Sequence, residues 1–203
     1  MQAHLATEAH LQQLAKPPSS FTYTSIREGL YAESTPIYTA FFNPKTVTSA
    51  DENANGEIEI QIPHDGKGAG IAWVGREELG EASARLIARF VGDVEGFGYV
   101  NERVLLTGGR AWTLEETVEV LGEIAGWGGK VKIREVSVDE YVKLEQVLER
   151  FGSEEKARSW ATAWEAVRGG ETGVVTGVME EVLGRKPEGF DVVARRFWEA
   201  PGV

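Results

Sequence analysis

Polar and apolar positions alternate most regularly where Ile58, Ile60 and Ile62 are interleaved with Glu57, Glu59 and Gln61. A period of two predicts a half-buried strand. The turn-forming stretch "PHDGKGAG" follows, and Ile71 to Val74 reads as a second short strand. That order predicts a hairpin with a loop longer than the tightest types. His64 is expected in the turn, and Trp73 in the core. Elsewhere the period lengthens to that of a helix. "REELGEASARLIARFVG" has the spacing of an amphipathic helix stopped by Gly92. "WTLEETVEVLGEIAG" is a helix that Thr113 caps, with Glu116 three residues on to complete a capping box. Ser137 and Glu140 repeat the device in "SVDEYVKLEQVLERFG", and Ser153 caps "SEEKARSWATAWEAVRGG". In the last segment Trp160 and Trp164 are four apart and share a core-facing stripe.

"RVLLTGG" and "KVKIREV" read as short strands, and the tail as two short helices split by "GRKPEG". At the front, "MQAHLATEAHLQQLAK" reads as an amphipathic helix with Leu5, Ala9 and Leu11 to Leu14 as its apolar positions. "PPSS" ends it, because proline cannot continue a helix. Phe21 to Ile26 alternates as a strand, breaks at Arg27, Glu28 and Gly29, and gives way to a helix over Leu30 to Phe42 that Pro36 interrupts. Strands alternating with helices imply an α/β fold with parallel pairing.

Composition narrows the function. A chain of 203 residues suits one domain with a sizeable core. Its formal net charge of -11 argues against a nucleic-acid surface, which needs clustered Lys and Arg. A small phosphorylated cofactor needs only one local site and stays open. The absence of cysteine excludes disulfides, thiolate catalysis and Cys-ligated zinc. No apolar run approaches the roughly 18 residues that span a bilayer, and the N-terminus lacks the pattern of a secretory signal. The expectation is a cytoplasmic protein with no membrane partner.

Three features carry candidate chemistry. His4 and His10 are six apart, so they do not form the i, i+4 pair of a helical metal site, and no metal is expected. His4 has two readings, proton transfer by an imidazole that titrates near neutrality or an exposed helix residue. Arg27 and Glu28 follow a strand, where charges in open α/β sheets contact ligands. The alternative is an ion pair that holds the turn. Gly108, Gly109 and Arg110 lie between a strand and a helix start, where amides can cradle a phosphate. No G-x-G-x-x-G, G-K-[ST] or acidic ribose anchor accompanies them, so a tight strand-to-helix turn is the competing reading.

The order of motifs resembles the NmrA-like branch of atypical short-chain dehydrogenases/reductases. "HLATEAHLQQLA" followed by "FTYTSIREGLYAES" is similar to its H-x-x-T-E helix and Y-T-x-x-R-x-G-x-Y-x-E/N segment, on His4, Thr7, Glu8, Tyr23, Thr24, Arg27, Gly29, Tyr31 and Glu33. "GAGIAWVGREELGEASARLIA" and "VLLTGGRAWTLEETVEVLGEIAG" resemble later family segments. The likeness runs from Ala3 to about Phe151. It implies a truncated Rossmann-like fold, the last strands of a parallel sheet plus a C-terminal α/β substrate lobe. Residues 1–50 would be the Rossmann part and 51–203 mainly the lobe. It implies NADP or NAD as cofactor, with Arg27 and Gly29 against the cofactor, Glu28 and Tyr31 against substrate, and His4 as the catalytic group. A quinone-like acceptor is the implied substrate. A non-catalytic NADP-sensing module with a regulatory protein partner is the alternative, as is a product inactive alone. "YVKL" does not supply the Tyr-x-x-x-Lys pair, which this branch often lacks.

The family's Gly-rich unit is absent, and the sequence starts about where the family's fifth strand ends. NAD(P) binding is therefore expected to be weak or absent. The strand Phe21 to Ile26 is expected to be a sheet edge with an uncovered apolar face, open to self-association. Met1 to Asn43 is expected to be looser than Ile58 to Phe151.

Overall fold

The computed structural model describes residues 2–201. In chain order the elements are α1 (Gln2–Leu14), β1 (Thr24–Glu28), α2 (Thr35–Tyr38), β2 (Ile58–Ile62), α3 (Arg76–Gly92) and β3 (Glu102–Leu106). Then come α4 (Leu114–Ile124), β4 (Val131–Glu135), α5 (Val138–Tyr141), α6 (Glu145–Phe151) and α7 (Glu154–Ala161), followed by α8 (Ala163–Arg168), α9 (Val178–Leu183) and α10 (Phe190–Glu199). The four strands form two parallel pairs, β1 with β3 and β2 with β4. The fold is α/β, as the alternation of strand and helix requires. Both capping boxes form, Thr113 with Glu116 and Ser137 with Glu140, and Ser153 accepts from the Lys156 amide.

The hairpin expected at residues 58–74 does not form. β2 pairs instead with β4, Ile58 opposite Val131 and Ile62 opposite Glu135. Backbone hydrogen bonding in the loop explains why. The Gly66 carbonyl accepts from the Glu115 amide at the start of α4, 3.0 Å away, so the chain is led off before it can fold back on β2. The segment 71–74 then joins three other stretches of the chain. Ile71 exchanges both backbone bonds with Trp112, and Ala72 donates to Thr172 and accepts from Gly108. Val74 donates to Leu30 and accepts from Ala32. Buried backbone groups must find partners, and this segment finds all of its partners outside β2. Alternation then sends its side chains into two cores. Ile71 and Trp73 enter an aromatic-rich core with β2, β4 and α10, while Val74 enters an aliphatic core under β1 and β3 with Leu79, Leu86, Met179 and Val182.

β1 begins three residues later than the alternation indicated and includes Arg27 and Glu28. Asn101 sets the start. At φ 61° it turns the chain into β3. Its amide donates to the Tyr23 carbonyl at 2.6 Å, and its side-chain oxygen accepts from the Tyr23 amide at 3.2 Å. Pairing starts beyond that clamp, which leaves Phe21 exposed.

The front helix also differs from its expected form. Leu5 and Leu14 are 54% and 44% exposed, and the buried residue of α1 is Glu8. Its carboxylate accepts from Ser25 and, in two bonds, from Arg27, with Arg103 of β3 at 3.7 Å. The face of the β1–β3 pair toward α1 is therefore polar, and the apolar side chains Ile26, Val104 and Leu106 point into the aliphatic core on the other face. The uncovered apolar face is replaced by an ionic one. Among the described residues β1 pairs with β3 alone, so its second edge has no strand partner.

Arginines of α3 fasten the far side of that core. Arg85 donates to the Leu183 carbonyl at 2.9 Å and Arg89 to the Glu181 carbonyl at 3.0 Å. Cationic side chains at a helix C-terminus satisfy its last carbonyls and oppose its negative dipole end.

Candidate functional site

β1 and β3 run parallel and end together, Glu28 opposite Leu106. In open α/β sheets ligands collect outside such carboxyl ends. The chain leaves each strand through a glycine whose place is set by close approach. The Gly29 amide donates to the Leu106 carbonyl at 2.7 Å, and a Cβ on Gly29 would lie 2.9 Å from that oxygen. A Cβ on Gly108 would lie 1.9 Å from the Trp73 carbonyl oxygen. Only glycine permits backbones to pass this closely.

Around these turns the polar side chains are organised by the protein. Tyr31 donates to the Glu28 carboxylate, and this bond, with burial behind it, holds the phenol above its ordinary value. Glu33 accepts from the Arg76 amide at 3.0 Å, which gives α3 the cap that Gly75 cannot provide. Thr107 accepts from the Thr176 amide at 3.0 Å, and Thr176 donates to the Leu105 carbonyl. Arg110 lies 3.4 Å over the Trp112 ring and 2.9 Å from Glu116. The Gly108 amide points inward to Ala72. The Gly108–Arg110 stretch thus takes the form of a tight strand-to-helix turn.

The structure divides the residues singled out from sequence. Glu28, Gly29 and Tyr31 come together at the strand ends. Arg27 goes to the opposite face, where its Nε and Nη2 donate to Glu8 at 2.7 and 2.5 Å. Those bonds hold the Glu8 carboxyl below its usual range, against burial, which acts upward. His4 is exposed on α1, one turn before Glu8 and so on Arg27's side of the sheet. The Gly29 and Gly108 amides are both donated to backbone carbonyls, so neither is free for a phosphate oxygen.

Sequence reasoning missed two residues. Glu8 was named only as a member of the motif that includes Arg27, with no role assigned to it. His64 was read as a turn residue and is 1% exposed. The signal for His64 was present, since it continues the inward parity of Ile58, Ile60 and Ile62.

No family model matches the chain. Two solved structures share its fold over nearly its whole length. Triphenylmethane reductase from Citrobacter superposes with a TM-score of 0.67 at 21% identity, covering 98% of this chain and 59% of that one. An NADPH-dependent quinone oxidoreductase from Escherichia coli, solved with NADPH, gives 0.66 at 20%, covering 98% and 59%. The fold is therefore that of the Rossmann-like NAD(P)-dependent reductases, over a little more than half of their length. An NmrA-like family domain-containing oxidoreductase of Aspergillus flavus is 34% identical over 189 residues, which is 91% of this chain and 51% of that protein. The chain belongs to the NmrA-like family and spans about half the length of this relative.

Proposed function

We propose that this chain forms the acceptor-binding portion of an NAD(P)H-dependent NmrA-like oxidoreductase. The observation that carries the reading is the joint ending of β1 and β3, where Gly29 brings the Glu28–Tyr31 pair to the mouth of the parallel strands. A quinone-like ring is the acceptor proposed there. On binding, its carbonyl would take over the Tyr31 hydroxyl proton that Glu28 accepts in the free protein. The bound dinucleotide supplies the hydride, and the protein's part is orientation and exclusion of water. Arg27 serves this site indirectly by pinning α1 to β1, and His4 has no geometric claim on the strand ends. Because Gly29 and Gly108 spend their amides on backbone carbonyls, the 203-residue chain alone is expected to bind NADPH no tighter than about millimolar, with affinity restored in a chimera that places a Gly-rich dinucleotide-binding unit ahead of it.

Calorimetric titration with NADPH and NADPH oxidation with a panel of quinones test both statements. Turnover by the chimera that falls about tenfold or more in Tyr31→Phe supports the reading. Tight NADPH binding by the chimera with no turnover on any acceptor replaces it with an NADP-sensing module.

A further inference from the structure

The core around β2 contains polar atoms that the fold does not satisfy. His64 Nε2, Tyr141 Oη, Trp160 Nε1 and Trp164 Nε1 are buried without a well-formed hydrogen bond among the described residues, although the Trp160 indole comes near enough to act on the Tyr141 phenol. Their rings are neighbours. His64 lies 6.0 Å from Trp164 between centroids, and Tyr141 lies 6.5 Å from Trp164. Tyr38 joins the two indoles, at 5.3 Å from Trp160 and 6.0 Å from Trp164. The four come from the loop after β2, from α5, from α7 and from α8. Buried polar groups in folded proteins are hydrogen-bonded almost without exception, so four orphans in one place call for a common explanation.

Their chemistry is one-sided. Indole N–H groups only donate. The His64 Nδ1 accepts from the Gly66 amide at 2.9 Å, so the neutral ring carries its proton on Nε2. Burial, and then Arg168, hold the ring neutral, while Asp65, Glu135 and Glu165 act the other way. Burial pushes the Tyr141 phenol up to about 12, with the Trp160 indole acting against it, so the hydroxyl keeps its proton. Three N–H donors and one hydroxyl therefore gather around the phenol oxygen, which the Trp160 indole already approaches.

We infer that this corner is a binding site for a hydrogen-bond-accepting oxygen, supplied by a carbonyl or carboxylate of a small organic molecule or by an internal water. The donor surplus suits an oxygen with lone pairs and no hydrogens of its own. A water also fits if it donates in turn to Tyr141, since buried waters hold about three such bonds.

The test is a high-resolution crystal structure of the 203-residue protein as purified, with native mass spectrometry and thermal unfolding of Tyr141→Phe. The expected result is an oxygen within about 2.7–3.2 Å of at least two of the four atoms. Extended density with a matching mass increment identifies an organic guest, and a single round peak with no increment identifies water. Tyr141→Phe keeps the ring and removes one bond, so its Tm is expected to fall by about 2–4 °C. Absence of any such density overturns the inference. So does a Tm for Tyr141→Phe that is unchanged or higher, because deleting a truly unpaired buried hydroxyl costs nothing.

Discussion

β2 places Ile58, Ile60 and Ile62 at 4%, 2% and 0% exposure, and the residues between them stay partly open. β1, equally long and also paired in parallel on one edge, is half-buried from Thr24 to Arg27. The first strand has one dry face in a large aromatic core. The second has an aliphatic face and a face of Ser25 and Arg27 bound to the carboxylate of Glu8. Apolar burial is non-directional and tolerates many neighbours. An ion pair with hydrogen bonds demands one geometry, and in exchange it fixes how α1 lies on the strand. The two regions meet at residues 71–74, whose successive side chains serve one core and then the other.

The largest effect is expected at that junction. Gly108→Ala drives a methyl to 1.9 Å from the Trp73 carbonyl, a backbone atom held by its neighbours. A loss of at least about 3 kcal/mol is expected, at the upper end of overpacking costs. Urea unfolding followed by tryptophan fluorescence and by circular dichroism checks it. Both midpoints are expected to move together, and a shift in one signal alone would separate the cores that the junction is said to join.

The next effect compares the strands. Ile60→Ala removes a side chain from a closed site and is expected to cost about 2–5 kcal/mol. Ile26→Ala, at a half-buried site, is expected to cost about 1–2 kcal/mol, in proportion to the area it covers. Equal losses would erase the contrast between a strand with a dry core face and one that divides its faces.

The smallest effect belongs to the ionic face. Arg27 is 39% exposed, so solvent screens the pair, and Glu8→Gln is expected to cost about 1 kcal/mol near neutrality. Its pH dependence distinguishes charge from packing. The folded state holds Glu8 below its ordinary value of 4.5, so the unfolded chain takes up the proton first as pH falls. The stability from this pair is complete above about 4.5 and is lost as pH drops through the folded value. Wild type and Glu8→Gln are expected to converge in acid. A gap that persists unchanged to about pH 2 would assign the contribution to shape alone.

Much of this molecule is set within three or four residues along the chain. The boxes of Thr113 with Glu116 and Ser137 with Glu140, the long helix Arg76–Gly92 and the strand Ile58–Ile62 depend on local spacing, so the sequence alone determined them, and with them the α/β class. The motif shared by His4, Glu8, Arg27, Gly29 and Tyr31 was also legible, but only as a set. Which members meet was decided by the tertiary structure. Parallel pairing sets Thr24 beside Glu102 and Ile58 beside Val131, and no local pattern encodes partners so distant. Alternation along β1 then separated Arg27 from Glu28. The pull of Gly66 toward α4 turned an expected hairpin into a junction. Long-range backbone satisfaction made these choices, because every buried N–H and C=O had to be paired wherever the chain could supply a partner.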